Sequence, residues 1–292
     1  MLNAVAKNDG IASAAELVSR YGQKYLHLIK SRDRARELVA TFRGLLDVSF
    51  KDQKVLELGS GIGSVAIEFS HLGADVTAVE PSVRWFAMAE EHARNEAKVN
   101  FIRSDLLHSL EEFTENSFDT ILAIDSLPRF YDLYQAAERM RSLLRPGGVL
   151  AFRVPNGTAP STIDDKRGVG LPLIAPDYWS AFVPSPIGHY HRPWGVYRAL
   201  LKEAGFAEPV LSVPMADESL ERARYKVRAQ LSALKKKLKN KETLDDPKAY
   251  IYARNALKPY IRNAEHDLEH LSWEALNLKY RAPAWTGVAR LP

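Results

Sequence analysis

The apolar run Val55–Leu58 breaks into glycines at every second position, Gly59, Gly61 and Gly63. Glycines so spaced turn the chain sharply, and without a Cβ they let a ligand approach the backbone. A helix is expected next, to about His71, and its start offers N–H groups that lack helical partners. The alternation then repeats. Asp75–Val79, Val99–Ile102, Phe118–Ile124 and Gly148–Val154 read as strands, with helical stretches near 82–95, 106–113 and 131–144 between them. Short, nearly continuous apolar strands separated by helices indicate a parallel sheet covered on both faces.

Residues 11 to 47 read as helices: Ser13 and Glu16 have capping-box spacing, and Arg34–Leu46 forms the second helix. After Pro155 an irregular stretch rich in Pro, Gly, Tyr and Trp runs to about Pro193, the length of a lid or binding loop. A helix from Trp194 to Ala204 stops at Gly205, and Pro209–Val213 and Ala284–Leu291 read as the sixth and seventh strands. Between those strands Leu220, Val227, Leu231, Leu234 and Leu238 fall at heptad-like spacing. A turn over 241–248, with Asp245, Asp246 and Pro247, leads into a second helix expected to reach about Tyr280. The expected fold class is α/β, a doubly wound, seven-stranded Rossmann-like sheet. N-terminal helices occupy 1–49, and the main domain 50–216 and 281–292 includes a lid over 155–193. A basic helical hairpin over 217–280 is inserted between strands six and seven.

The carboxyl edge of such a sheet is where open α/β folds bind ligands. Glu57, at the first strand's end, can accept a hydrogen bond from an ammonium group. Glu80, ending the second strand, has two oxygens for the two hydroxyls of a ribose. Asp105, just past the third strand, can accept from an adenine amino group. Ser60, Pro81, Ser82 and Leu106 adjoin these residues and share the expected binding site.

A Gly-rich turn alone does not discriminate, since nicotinamide-dependent oxidoreductases have one. Three further features do. An acid stands two residues before the first glycine, another follows strand three, and Leu144-Arg-Pro-Gly-Gly148 leads into strand five. Together they resemble the class I S-adenosylmethionine-dependent methyltransferases over roughly residues 50–215. The resemblance implies S-adenosylmethionine as cofactor, its methionine moiety held by the glycine turn, its ribose by Glu80 and its adenine facing Asp105.

The fourth strand's Phe118-Asp-Thr-Ile-Leu-Ala-Ile-Asp-Ser126 resembles the family's next motif. Asp125-Ser-Leu-Pro128 stands where enzymes that methylate base amines carry Asn- or Asp-Pro-Pro-aromatic, which argues against base methylation. Asp125 is a candidate for lining the cofactor pocket and for serving as a base, and equally for a structural cap. His189 and His191, flanking Tyr190 before Leu200-Leu-Lys-Glu-Ala-Gly-Phe206, are the other candidate bases. Similar segments occur in enzymes like the ubiquinone-pathway O-methyltransferases, where they often cap a helix or pack beneath the active site. No third ligand joins the two histidines, so no metal is expected. Tyr178, Trp179, Phe182, Tyr190 and Trp194 gather aromatic surface for an acceptor pocket or for a small core of the lid itself, and Tyr21, Tyr25 and His27 are placed either to close the site or to pack helices.

There are no cysteines, so disulfides and zinc–thiolate sites are excluded. With no apolar run of membrane-spanning length and no secretory signal at Met1–Gly10, a cytoplasmic location is expected. The net charge of +4 is uneven: residues 220–241 hold nine Lys and Arg against Glu221 alone, which leaves the remainder at −4. Three roles compete for residues 217–280: a bracing or homodimerising hairpin, attachment to an anionic membrane surface, and, least favoured, nucleic-acid binding. The function expected is methyl transfer to a small-molecule acceptor, most simply at a hydroxyl oxygen. The rivals are a cofactor-binding scaffold acting through its hairpin and an NAD-dependent oxidoreductase.

Overall fold

A computed structural model describes residues 32–94, 96–160, 192–212, 218–239 and 247–292, with 237–239 and 247–256 described by their backbone only. Helix α1 (Arg32–Leu46) precedes strand β1 (Lys54–Leu58). The alternation continues through α2 (Ser64–His71), β2 (Asp75–Val79), α3 (Val83–Ala93), β3 (Val99–Ile102), α4 (Leu106–Glu112) and β4 (Phe118–Ile124). A 3-10 turn at Leu127–Arg129 leads to α5 (Leu133–Leu143), β5 (Leu144–Pro155), α6 (Trp194–Glu203) and β6 (Val210–Ser212). The hairpin comprises α7 (Leu220–Lys239) and α8 (Pro247–His270). A short helix α9 (Trp273–Leu276), a π-helical turn at Asn277–Arg281 and β7 (Ala284–Arg290) follow.

The seven strands lie in the order β3-β2-β1-β4-β5-β7-β6, and only β7 runs antiparallel to its neighbours. Alternate β1 residues enter opposite cores. Leu56 and Leu58 pack with Leu110, Met140, Phe152, Tyr197 and Trp285 on one face. Val55 packs with Phe42, Phe69, Val76, Val149 and Val288 on the other, under α1 and α2. Both faces being buried explains why the strands read as continuous apolar runs. The direction in which successive strands are laid down reverses between β1 and β4, the first strand having β2 as its parallel neighbour on one side and β4 on the other. That switch point opens a crevice at the carboxyl edge.

The hairpin has a core of its own. Val227, Leu231 and Leu234 of α7 are buried against Leu257, Ile261, Ala264 and Leu268 of α8. The described seam residues of α7 thus pack on the chain's own second helix. Arg228 pairs with Glu269, and Lys235 with Glu265. Lys226 and Arg281 both pair with Glu218, whose side chain is 4% exposed. Much of the described basic charge thus faces acids supplied by the same chain. The second helix does not reach Tyr280 as expected: it ends at His270, and Ser272 restarts the chain by accepting a hydrogen bond from Ala275 N. Asn156, fully buried after β5, ties the hairpin down by donating to the carbonyls of Ala282 (2.8 Å) and Lys279 (3.2 Å). Among the described residues no helix is long and apolar enough to cross a membrane.

Candidate active site

The crevice at the switch point holds a cavity of about 550 Å³. Of the residues expected at a cofactor site, Glu57, Gly59, Ser60, Gly61, Glu80, Pro81, Ser82 and Asp125 line it. Gly63, Asp105 and Leu106 do not.

The turn after β1 is fixed by its backbone. Gly59 N and Ser60 N donate to Val79 O at 2.8 and 3.0 Å, which draws the turn against the end of β2. All three glycines have positive φ, a region open to glycine at no steric cost. At Gly61 a Cβ would meet nothing within 4 Å, so this glycine borders open cavity. At Gly63 it would lie 2.8 Å from Phe101 Cζ, so this one allows α2 to pack against β3. The turn is braced from outside by His92, whose Nδ1 donates to Ile62 O at 3.0 Å.

Glu80 accepts from Gly61 N (2.8 Å) and Ser82 N (2.9 Å), one through each carboxylate oxygen. Both oxygens keep lone pairs free for further donors. Glu57 is 2% exposed, and its Oε2 has no hydrogen-bond partner among the described residues. Burial first, then the nearby charge of Glu80, pushes its carboxyl up to about 8, against a backbone hydrogen bond from Ala66. A buried carboxylate with an orphaned oxygen beside a cavity fits a cationic ligand group.

Asp105 is the N-cap of α4: its Oδ1 accepts from Leu107 N and His108 N at 2.9 and 3.2 Å. Asp125 sits at the end of β4 with φ +57°, a left-handed conformation that aspartate tolerates better than most residues. Both its oxygens accept from Arg153 Nη1, and Oδ2 also from Arg34 Nη2 at 3.3 Å. His189, His191, Tyr178, Trp179, Phe182, Tyr190, Tyr21, Tyr25 and His27 lie outside the described residues. Trp194 stacks on Phe152 with centroids 6.0 Å apart and packs near Trp285, in the core rather than the cavity.

Sequence reasoning missed several lining residues, among them Arg34, Trp85 and Arg129. Trp85 stands in the first turn of α3, three residues past its cap Ser82, so the acid-serine-aromatic spacing was a usable signal. Arg34 had none, because only the tertiary position of α1 brings it over the glycine turn.

Strand order, glycine turn and paired acids define a class I S-adenosylmethionine-dependent methyltransferase fold. Residues 56–152 match the methyltransferase domain family, so the chain carries such a domain, and S-adenosylmethionine is that domain's cofactor. The methyltransferase GfsG of Streptomyces halstedii is 34% identical over 124 residues, 41% of this chain and 43% of that protein. A ubiquinone biosynthesis O-methyltransferase of Xanthomonas euvesicatoria pv. vesicatoria is 25% identical over 184 residues, 62% of this chain and 74% of the relative. A crystal structure of a SAM dependent methyltransferase from Archaeoglobus fulgidus superposes with a TM-score of 0.54 at 14% identity, covering 91% of this chain and 99% of that one. The chain thus spans less than half the length of GfsG, and the solved structure shares the fold.

Proposed function

We propose that the chain is a methyltransferase that moves the methyl group of S-adenosylmethionine to a hydroxyl oxygen of a small-molecule acceptor. The orphaned Glu57 Oε2 beside the glycine turn carries this reading. An α-ammonium group would give that oxygen the partner it lacks. Arg34, lining the same cavity, offers a guanidinium for the α-carboxylate, so both charges of an amino-acid moiety have a counterpart. Glu80 has acceptor capacity left for ribose hydroxyls, and Trp85, Ile62 and Pro81 supply apolar surface for a base.

When bound, S-adenosylmethionine supplies a methyl group on a sulfonium: the acceptor oxygen gains a C–O bond as the C–S bond breaks, a neutral thioether leaves and the hydroxyl proton is released. The chain's task is mainly to hold the two reactants in line and to exclude water. Asp125, with both oxygens held by Arg153, is better suited to fixing the cavity mouth than to taking that proton. His189 and His191 are the proposed proton acceptors, on the sequence argument alone. Oxygen as the target atom is supported by the likeness to the ubiquinone biosynthesis O-methyltransferase and by Asp125-Ser-Leu-Pro128 in place of a base-amine motif.

Calorimetric titration with S-adenosylmethionine and S-adenosylhomocysteine tests the reading, with Glu80→Ala as control. Micromolar binding of both that is lost in the variant supports it. Binding of NADH in their place would return the chain to the oxidoreductase reading.

A further inference from the structure

Outside residues 220–241 the chain carries a slight excess of acid, yet the β4 end of the cavity is basic. Arg34 from α1 and Arg129 from the turn after β4 line it beside Asp125, and Arg153 of β5 stands against the same carboxylate. Arg34 and Arg153 therefore hold this acid, and Arg129 lines the same end of the cavity. Arg153 is 19% exposed and committed to Asp125 through both of its oxygens. Arg34 reaches Asp125 only at 3.3 Å and is the group available to a cofactor carboxylate. Arg129 is exposed at the cavity and makes no side-chain hydrogen bond or ion pair among the described residues. Its backbone is held in place: Arg129 N donates to Ser126 O at 2.8 Å. Just beyond it, the fully buried Arg192 donates to the carbonyls of Phe130 and Tyr131, each at 2.8 Å.

The charges can be assigned in turn. One guanidinium answers Asp125, one answers the cofactor's carboxylate, and Arg129 is left over next to a bound sulfonium that adds positive charge. We infer that the acceptor is an acid, a small molecule whose carboxylate or phosphate is held by Arg129 at the β4 end of the cavity. The inference rests on the methyltransferase reading above and names the class of its substrate. A guanidinium matches either anion with two parallel N–H donors, so it fixes the acceptor's orientation as well as its charge.

The test uses the chain saturated with S-adenosylhomocysteine and titrated, with NMR detection, against benzoate, phenyl phosphate and neutral benzyl alcohol. Benzoate or phenyl phosphate should bind, more weakly as salt is added, and benzyl alcohol should not compete. Arg129→Gln should weaken the anion by about tenfold, the scale of one charge-assisted contact, while Arg129→Lys retains part of the affinity. Both variants should lower anion affinity by a larger factor than they lower S-adenosylhomocysteine affinity. No anion binding, benzyl alcohol binding as well as benzoate, or unchanged anion affinity in Arg129→Gln would each overturn the inference. Failure of the parent chain to bind S-adenosylhomocysteine would instead remove the methyltransferase reading, and this inference with it.

Discussion

Gly61 and Gly63 have similar backbone geometry, φ +57° and +75°, but a Cβ would meet open space at the first and Phe101 and Ala89 at the second. Gly61→Ala should therefore cost only the positive-φ strain, about 1 kcal/mol, and act mainly by weakening cofactor binding. Gly63→Ala adds overpacking of about 1–3 kcal/mol, so denaturant unfolding should rank it clearly the less stable. Glu57 offers a sharper test. Its carboxyl, raised to about 8 from 4.5, binds a proton in the folded, cofactor-free chain that the unfolded chain releases. The stability it contributes is complete below the unfolded value and is lost as pH rises through the folded one. Cofactor-free Glu57→Gln should accordingly keep more of its stability above pH 8 than the parent does, as followed by thermal melts across pH. Cofactor affinity runs differently. It should peak near pH 8, because the carboxyl keeps its proton below that and an α-amino group loses its own above about 8. Calorimetry in buffers of different ionisation enthalpy should show proton release on binding at pH 7; no release would mean that Glu57 is already ionised or does not meet the ammonium.

At the scale of elements, strands were legible because both faces of this sheet are buried, so each strand is an apolar run of its own length. β2, β3 and β4 match the expected bounds, while β5 starts four residues early, at Leu144, because its Arg-Pro-Gly-Gly approach already pairs Leu144 with Phe118. The break at Leu271–Ser272 was missed because helical composition continues on both sides of it. The partners of the charge run were illegible for a different reason. Glu265 and Glu269 sit 30 and 41 residues from the lysine and arginine they answer, a pairing that no local window contains. Within the site, Glu57 and Glu80 were readable from strand-end position, whereas Asp105 serves its own helix, an equally good use of the same residue type. The join between hairpin and sheet depends on Asn156. Asn156→Ala leaves buried carbonyls unanswered and should cost about 1–3 kcal/mol in denaturant unfolding, although Asn156 is not among the residues that line the cavity.

For the whole molecule, the cavity lies among α1, the β1 turn, the β2 end and the β4 end, so a ligand seated there links segments from Arg34 to Arg129. Binding to the folded state alone should stabilise it by about 2.7 kcal/mol at a free concentration about a hundred times Kd. A melt of the full chain with S-adenosylhomocysteine should rise accordingly, and the Glu80→Ala melt should not move. The sheet's strand order has another consequence, felt before any ligand arrives. Among the described strands β6 pairs with β7 alone, while β7 closes the edge of β5 over Val149–Pro155. Everything from Leu220 to Arg281 must therefore leave the ribosome before that edge can close. During that interval β5 presents Leu150, Phe152 and Val154 on an open edge, the kind of surface that invites pairing between nascent chains. A hairpin able to bury its own leucines while it waits keeps one apolar stretch of the growing chain out of such encounters.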